Sequence, residues 1–299
     1  MSASHRPAHL VGPPAGGRWT TLLLGIALLA LVTAGVVLAS AGPSTAPAVA
    51  PRTLAVQPQI AASAVGEQVI APRPVDAAVL ASLPPATTHG TVPDAPLDSA
   101  PDVVLSGRLV KPTAVLPVYL APGERAIAAA PTRQWAGETR LPVIAEQPGW
   151  AQVLLPVRPQ GATGWIYLDD PQVELERTTF RIEVDRAAFT LAVFDGVQQL
   201  GRWTVGVGKP EAPTPAGRTF LLDNLTPDEP RYSPVVLPLG THSPTHTSYG
   251  GGPGTVGVHG WPSADVFGQR SSDGCIRVPP DALQLLSTRV PLGSPVLIR

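Results

Sequence analysis

The residues best placed to do chemistry in this sequence are a lone cysteine and a histidine near its C-terminus. Cys275 is the single cysteine among 299 residues, and His259, followed by Gly260, stands sixteen residues before it. A thiol attacks only as the thiolate, and an imidazole beside the sulfur commonly takes up its proton. The pair therefore predicts covalent catalysis with Cys275 as the nucleophile and His259 as the base.

Glycines and an arginine accompany these two groups. Gly260 and Gly274 let the backbone pass close to the site, and the N–H groups of Gly274 and Cys275 are candidates for stabilising an oxyanion. If Cys275 opens a strand, Arg277 projects from the same face, because strand side chains repeat every two residues. Its guanidinium is expected to hold a substrate carboxylate or to order the site.

The combined pattern resembles the L,D-transpeptidase catalytic family, which carries H-G, an insertion, and then S-H-G-C followed by an apolar residue and R or N. The matching residues are His259, Gly260, Ser272, Gly274, Cys275, Ile276 and Arg277. A second family feature, G-K followed by T-P-x-G, is matched at Gly208-Lys209 and at residues 214–217. Tyr249 falls where the family carries flexible sequence and is, with Arg277, a substrate-binding candidate.

One position departs from the family pattern. Asp273 stands where the family usually has a second histidine, so the role of that histidine is not carried over to this chain. A carboxylate facing the sulfur would raise the thiol pKa through like-charge repulsion. We therefore expect Asp273 to point away from Cys275 and to accept backbone N–H bonds that shape the turn before it.

The resemblance implies peptidoglycan cross-linking without a cofactor or a metal. The thiolate attacks the amide before the terminal D-alanine of a tetrapeptide stem, and the thioester passes to the amine of a neighbouring stem, giving a 3→3 bridge. Peptidoglycan stem peptides are the implied partners. The supporting residues implied around His259 and Cys275 are Gly260, Ser272, Asp273, Gly274 and Arg277.

Four other interpretations remain open at this point. An L,D-carboxypeptidase differs only in using water as the acceptor, and a non-catalytic cell-wall-binding protein needs no nucleophile at all. A zinc site of His242, His246, His259 and Cys275 is disfavoured, because Thr/Ser/Pro/Gly loops would hold the first two ligands loosely. A sortase-type enzyme would carry a T-L-x-T-C strand, which this sequence lacks.

The overall composition excludes a strongly basic protein. Lys and Arg total 21 against 22 Asp and Glu, and this balance predicts no nucleic-acid partner. The 37 prolines and 29 glycines, with 14% charged residues, favour turn-rich β structure plus an unstructured portion.

The N-terminal region predicts export. Leu22–Ala39 is an uncharged apolar run long enough to cross a bilayer as a helix, and Arg6 and Arg18 precede it. We expect a cytoplasmic tail at 1–18 and a transmembrane anchor at 19–41, with the catalytic domain outside the cell membrane. A signal peptide cleaved after Ala41, which would release the protein to the cell wall, is the alternative.

The remainder predicts a mainly β chain of two domains. Residues 42–103 hold eleven prolines and no aromatic residue, which predicts a disordered linker. Short apolar runs between turns predict a small β-barrel at 104–175, whose last strands resemble bacterial Src-homology-3-like domains. Further alternating runs predict the β-sandwich of the L,D-transpeptidase-type domain at 178–299, with one short helix at 280–287.

Overall fold

A computed structural model describes residues 68–249 and 252–299, which form a mainly β structure. The predicted tail, the anchor and the first part of the linker lie outside the described residues. Within the part of the chain that is described, no helix is long and apolar enough to cross a membrane. Below, residues 68–177 are called the first domain and residues 178–299 the second domain.

The first domain is built on one short helix and seven strands. They are α1 Ala77–Ser82, β1 Arg108–Pro112, β2 Leu116–Tyr119, β3 Ala126–Ala130, β4 Leu141–Gln147, β5 Trp150–Leu154, β6 Thr163–Tyr167 and β7 Val173–Arg177. The strands pair antiparallel in the order β3-β2-β6-β5-β4-β1-β7. Trp150 is fully buried in their core. The predicted small β unit is therefore present, and its resemblance to Src-homology-3-like domains stays a prediction.

The structure corrects the predicted linker, because residues 68–103 pack against the sheet of the first domain. Ala86 and Val92 are buried in its core. The backbone carbonyl of Ile70 accepts the indole N–H of Trp150 at 2.8 Å. Small apolar side chains and extended backbone suffice here, because the sheet supplies the aromatic residues that the segment lacks. Lack of aromatics was therefore a misleading sign of disorder over this range.

The described residues of the second domain form ten strands, one α-helix and a single 3-10 turn at Ala264–Val266. They are β8 Phe180–Asp185, β9 Thr190–Asp195, β10 Gln198–Thr204, β11 Val207–Gly208, β12 Gly217–Phe220, β13 Val236–His242, β14 Thr255–His259, β15 Arg270–Ser272, β16 Ile276–Arg277, α2 Pro280–Arg289 and β17 Pro295–Ile298. The sheets run β10-β9-β8-β17-β12, β13-β14-β16 and β11-β15.

Local sequence signals explain several of these elements. The hairpin between β9 and β10 turns at Gly196, whose φ of 58° suits a residue without a side chain. Helix α2 begins with Pro280, a favoured first residue, and ends two residues later than predicted. Ile182 and Val184 alternate toward the core, as a half-buried strand requires.

One apolar core joins the five-stranded and three-stranded sheets and holds α2 against them. It includes Ile182 and Val193 of the larger sheet, Val258 and Ile276 of the smaller sheet, and Leu286 of the helix. The three-stranded sheet is therefore backed by a packed core. Its strands β14 and β16 carry the predicted catalytic residues at and beside their ends.

Candidate active site

The pairing of two strands brings His259 and Cys275 into one cavity. Strands β14 and β16 run parallel, with Val258 opposite Ile276 and His259 opposite Arg277. Cys275 immediately precedes β16, and both it and His259 line the same cavity. The structure thus places the two sequence-predicted catalytic side chains together, although they are separated by a long turn.

The imidazole of His259 is held in one tautomer. Its Nδ1 lies 2.7 Å from the carbonyl oxygen of Gly260, and a carbonyl can only accept, so Nδ1 carries the proton and Nε2 has the free lone pair. The Gly260 N–H in turn donates to Ser233 Oγ at 2.8 Å. Burial lowers the pKa of His259, helped by the positive charge of Arg277. The imidazole is therefore neutral at neutral pH and ready to accept a proton at Nε2.

Cys275 is partly exposed to solvent, in contrast to the buried His259. Burial of its sulfur raises the thiol pKa, while a backbone hydrogen bond from Gly257 and the charge of Arg277 act in the opposite direction. Asp273 adds a smaller raising effect. With the thiol pKa raised and the imidazole pKa lowered, both groups are neutral at neutral pH, rather than a preformed thiolate and imidazolium.

Ser272, and not Asp273, shapes the turn before Cys275. The hydroxyl of Ser272 donates to the carbonyl of Cys275 at 2.5 Å and accepts the N–H of Gly274 at 3.2 Å. Gly274 has a φ of +116°, which explains why glycine stands there. Its N–H is used by the turn in this conformation, so the predicted oxyanion role falls on the Cys275 N–H alone and stays a prediction.

The G-K and T-P motifs form hydrogen bonds with residues of this turn. The buried hydroxyl of Thr214 accepts the N–H of Gly208 at 2.9 Å and donates to the carbonyl of Gly274 at 2.8 Å. The N–H of Lys209 donates to the carbonyl of Ser272 at 2.9 Å. The role of Thr214 was missed from sequence, although the motif that contains it was recognised.

Asp273 pairs with a side chain rather than with the backbone. Its Oδ1 accepts a hydrogen bond from Lys209 Nζ at 3.0 Å, and both side chains are partly exposed. The expected backbone N–H bonds to this carboxylate are therefore a wrong prediction, because Ser272 already fills that role. Asp273 also contributes to the lining of the cavity with Cys275.

Arg277 orders the site through an aromatic cluster. Its guanidinium stacks over the ring of Trp261 at 3.5 Å, and Nη1 donates to the carbonyl of Ser271 at 3.1 Å. The ring centroid of Tyr232 lies 4.8 Å from that of His259 and 5.6 Å from that of Trp261. Tyr232 and Trp261 were missed from sequence, because isolated aromatic residues in loops carry no pattern.

A second, larger cleft opens beside the thiol. It has a volume of about 370 Å³ and reaches from Cys275 and His259 to Tyr249 and to Trp135 of the first domain. The side chain of Tyr249 is 52% exposed, which leaves it free to contact a bound molecule. Tyr249 also lines the tighter cavity with Arg277, so both predicted substrate-binding residues lie at the site.

The four residues of the zinc alternative are not gathered at one point. His242 is buried, and its Nε2–H donates to the carbonyl of Thr88 at 2.8 Å. Among residues 68–249 and 252–299, no three or more His, Cys, Asp or Glu side chains are grouped as a metal would need. His246 instead contributes to the cavity wall near Cys275.

Comparisons with known proteins agree with the motifs. Residues 179–298 match the family model described as the YkuD L,D-transpeptidase catalytic domain, whereas no curated protein sequence matches the chain. Among solved structures, an L,D-transpeptidase from Mycobacterium smegmatis is 19% identical, with 50% of this chain and 90% of that chain covered and a TM-score of 0.34.

Two further solved structures are similar over shorter parts of this chain. L,D-transpeptidase 3 from Mycobacterium tuberculosis, in complex with a faropenem-derived adduct, is 18% identical over 46% of this chain and 74% of its own, with a TM-score of 0.34. The catalytic domain of the E. faecium L,D-transpeptidase is 26% identical over 40% of this chain and 96% of its own, with a TM-score of 0.31. The family match over residues 179–298 confirms the resemblance to the L,D-transpeptidase catalytic domain that the sequence motifs predicted.

Proposed function

We propose that this protein is an L,D-transpeptidase that forms 3→3 cross-links in peptidoglycan. Cys275 Sγ attacks the carbonyl on the L-centre of diaminopimelate in a tetrapeptide stem, while His259 Nε2 takes the thiol proton. The carbon–nitrogen bond to D-alanine breaks, and His259 returns the proton to the leaving amine. The resulting thioester is attacked by the side-chain amine of a second stem, whose proton passes through His259 back to the sulfur.

The observation that carries this proposal is the tautomer of His259. Because Gly260 fixes the Nδ1 proton, Nε2 is the nitrogen available to a thiol in the shared cavity. The neutral resting pair also fits a reaction in which the proton moves as the sulfur attacks. No step requires a cofactor, since the leaving amine and the acceptor amine exchange protons with His259 alone.

The experiment measures three readouts on purified protein. Intact-protein mass spectrometry after addition of imipenem detects acylation of the thiol, and chromatography of muropeptides after incubation with tetrapeptide stems detects cross-links and free D-alanine. We expect acylation and 3→3 dimers with wild-type protein and neither with Cys275→Ala. Circular dichroism of the variant checks that its fold is retained.

The outcomes separate the candidate functions. Release of D-alanine without dimers would identify an L,D-carboxypeptidase, and peptidoglycan binding without acylation or release would identify a non-catalytic cell-wall-binding protein. Activity that survives in Cys275→Ala would remove the thiol mechanism altogether.

We also propose that the protein acts outside the cytoplasmic membrane, where its substrate lies. The apolar run Leu22–Ala39 supports an anchor with the catalytic domain on the outer side. Cell fractionation followed by N-terminal sequencing tests this: an intact N-terminus in the membrane fraction supports the anchor, and a chain beginning at Gly42 supports a cleaved signal peptide.

A further inference from the structure

The cleft beside Cys275, defined above by its 370 Å³ volume, is walled by both domains. Its lining includes Trp135 of the first domain and Tyr249, Gly252 and Pro253 of the second domain. Among the described residues that line it, none is Asp, Glu, Lys or Arg. The surface therefore suits an uncharged and largely apolar part of a ligand.

A single side chain of the first domain anchors the loop that carries Tyr249. The guanidinium of Arg158 donates to the carbonyls of His246 and Pro253 at 3.1 and 3.0 Å, with a longer bond to that of Ser243 at 3.4 Å. These carbonyls flank Tyr249 on both sides. Arg158 thus joins two segments, residues 243–249 and residues 252–254, which are together called the Tyr249 loop below.

A side chain of the second domain in turn anchors the backbone that follows Trp135. The carboxylate of Asp223, which is only 1% exposed, accepts the backbone N–H groups of Ala136 and Gly137 at 2.7 and 3.0 Å. A buried carboxylate that accepts several backbone N–H bonds is a strong local restraint. The residues immediately after Trp135 are therefore fixed relative to the segment that follows Asp223, which contributes Leu225, Thr226 and Pro227 to the cleft lining.

From these reciprocal anchors we propose that the first domain completes the substrate site. Trp135 is a binding residue that contacts an uncharged, apolar stretch of the peptide stem, and Arg158 is a positioning residue that holds the Tyr249 loop in the cleft lining. The inference rests on the proposed function, because it assigns the cleft to the stem on which Cys275 acts. It makes the first domain part of the enzyme rather than a spacer.

The test compares Trp135→Ala, Arg158→Met and Arg158→Lys with wild type in the full chain. We expect KM for a stem tetrapeptide to rise about tenfold in Arg158→Met, the size of one lost hydrogen bond to a charged group. Trp135→Ala should raise KM at least as much, because a large aromatic contact is removed. Arg158→Lys keeps the charge but offers fewer hydrogen-bond donors than the guanidinium. Its KM should therefore lie between those of wild type and Arg158→Met.

Two controls separate this role from a general loss of structure. The rate of Cys275 alkylation by iodoacetamide should be unchanged in all three variants, because the reagent is too small to need the cleft walls. Arg125→Met removes a guanidinium of the first domain that pairs with the exposed Asp94 and contacts no part of the cleft, so its KM should equal that of wild type.

The outcomes decide between the two proposals. KM values of the Trp135 and Arg158 variants within about twofold of wild type, in folded protein that turns over the stem, would overturn the inference and leave the proposed function standing. A parallel loss of iodoacetamide reactivity would also overturn it, because the effect would then lie in the thiol itself. Wild-type protein without any turnover of the stem would overturn both.

Discussion

Lys209 Nζ lies 3.0 Å from Asp273 Oδ1, an ion pair that joins the G-K motif to the turn before Cys275. The backbone of Lys209 makes a second link to the same turn, through its N–H and the carbonyl of Ser272. Asp273 therefore occupies its position as the partner of a cation and not as an acceptor for the turn. Its charge also acts weakly on Cys275, whose pKa it raises.

This pairing predicts that Asp273→Asn and Asp273→Ala behave alike. Neither removes a backbone hydrogen bond, and both remove a charge that raises the thiol pKa, so the alkylation of Cys275 at pH 8 should be slightly faster in both. Lys209→Gln should have the opposite effect, because it leaves the carboxylate unpaired. Iodoacetamide rates measured in low salt check the order, and a variant Asp273→Ala much slower than Asp273→Asn would restore a turn-shaping role.

A second prediction concerns the buried hydroxyl of Thr214, which links Gly208 to Gly274. Thr214→Val keeps the shape but leaves a buried N–H and a buried carbonyl without their partner, at a cost of about 1–3 kcal/mol of unfolding free energy. Acylation by imipenem should slow, because Gly274 precedes the nucleophile. Urea denaturation and acylation kinetics give the two values.

Thr214→Ser is the matched control, since it retains the hydroxyl and loses only a methyl group. It should recover most of the acylation rate. Equal acylation rates in Thr214→Val and wild type would show that the bridge stabilises the fold without positioning the cysteine.

The placement of His259 and Cys275 at one cavity and many of the strands were predictable because their signals are local. His259, Gly274 and Cys275 form a short pattern of residue types, and the burial of Ile182 and Val184 follows a period of two along one strand. Such features depend on neighbours in sequence, which a single chain displays directly.

The anchors between domains were not predictable for the opposite reason. Arg158 reaches carbonyls 85 to 95 residues away, and Asp223 accepts N–H groups 86 and 87 residues away. A lone arginine or aspartate has no periodicity that indicates such a partner. Distant contacts also explain why the prediction of a disordered linker over residues 68–103 was wrong. Residues such as Ala86 are buried by strands that come later in the chain.

A third prediction concerns truncation of the chain, because the packed structure begins at or before residue 68 and not at residue 104. A chain that begins at residue 68 should fold, whereas one that begins at residue 104 should be strongly destabilised. The shorter chain loses Asp98, whose carboxylate forms a buried bidentate ion pair with Arg218 at 2.6 Å, and removal of one partner of such a pair costs about 3–5 kcal/mol. Thermal unfolding followed by circular dichroism compares the two.

Asp98→Asn in the longer chain is the control for this pair. It should reproduce part of the loss, with the remainder due to the apolar side chains of residues 68–103. A chain from residue 104 with an unchanged Tm would show that the packed segment contributes nothing to stability.

The last prediction follows from the neutral state of Cys275 and His259. Because burial raises the thiol pKa and lowers the imidazole pKa, alkylation by iodoacetamide should increase steadily with pH, with a midpoint above the ordinary thiol value of about 8.5. A preformed thiolate–imidazolium pair would instead give an alkylation rate that is constant at pH values between the pKa of the thiol and the pKa of the imidazole. Acylation by a stem peptide should fall only below the ordinary histidine pKa of about 6.5, where His259 becomes protonated and can no longer accept the thiol proton.

His259→Gln distinguishes this mechanism from simple thiolate reactivity. It should lower stem acylation at neutral pH by about 10²- to 10⁴-fold, the usual contribution of general base catalysis, and abolish the fall in acid. At high pH the thiolate forms without a base, so alkylation of the variant should approach that of wild type. A wild-type alkylation rate that is already constant from pH 5 to 8 would contradict the neutral pair and require the thiolate to be present before substrate binds.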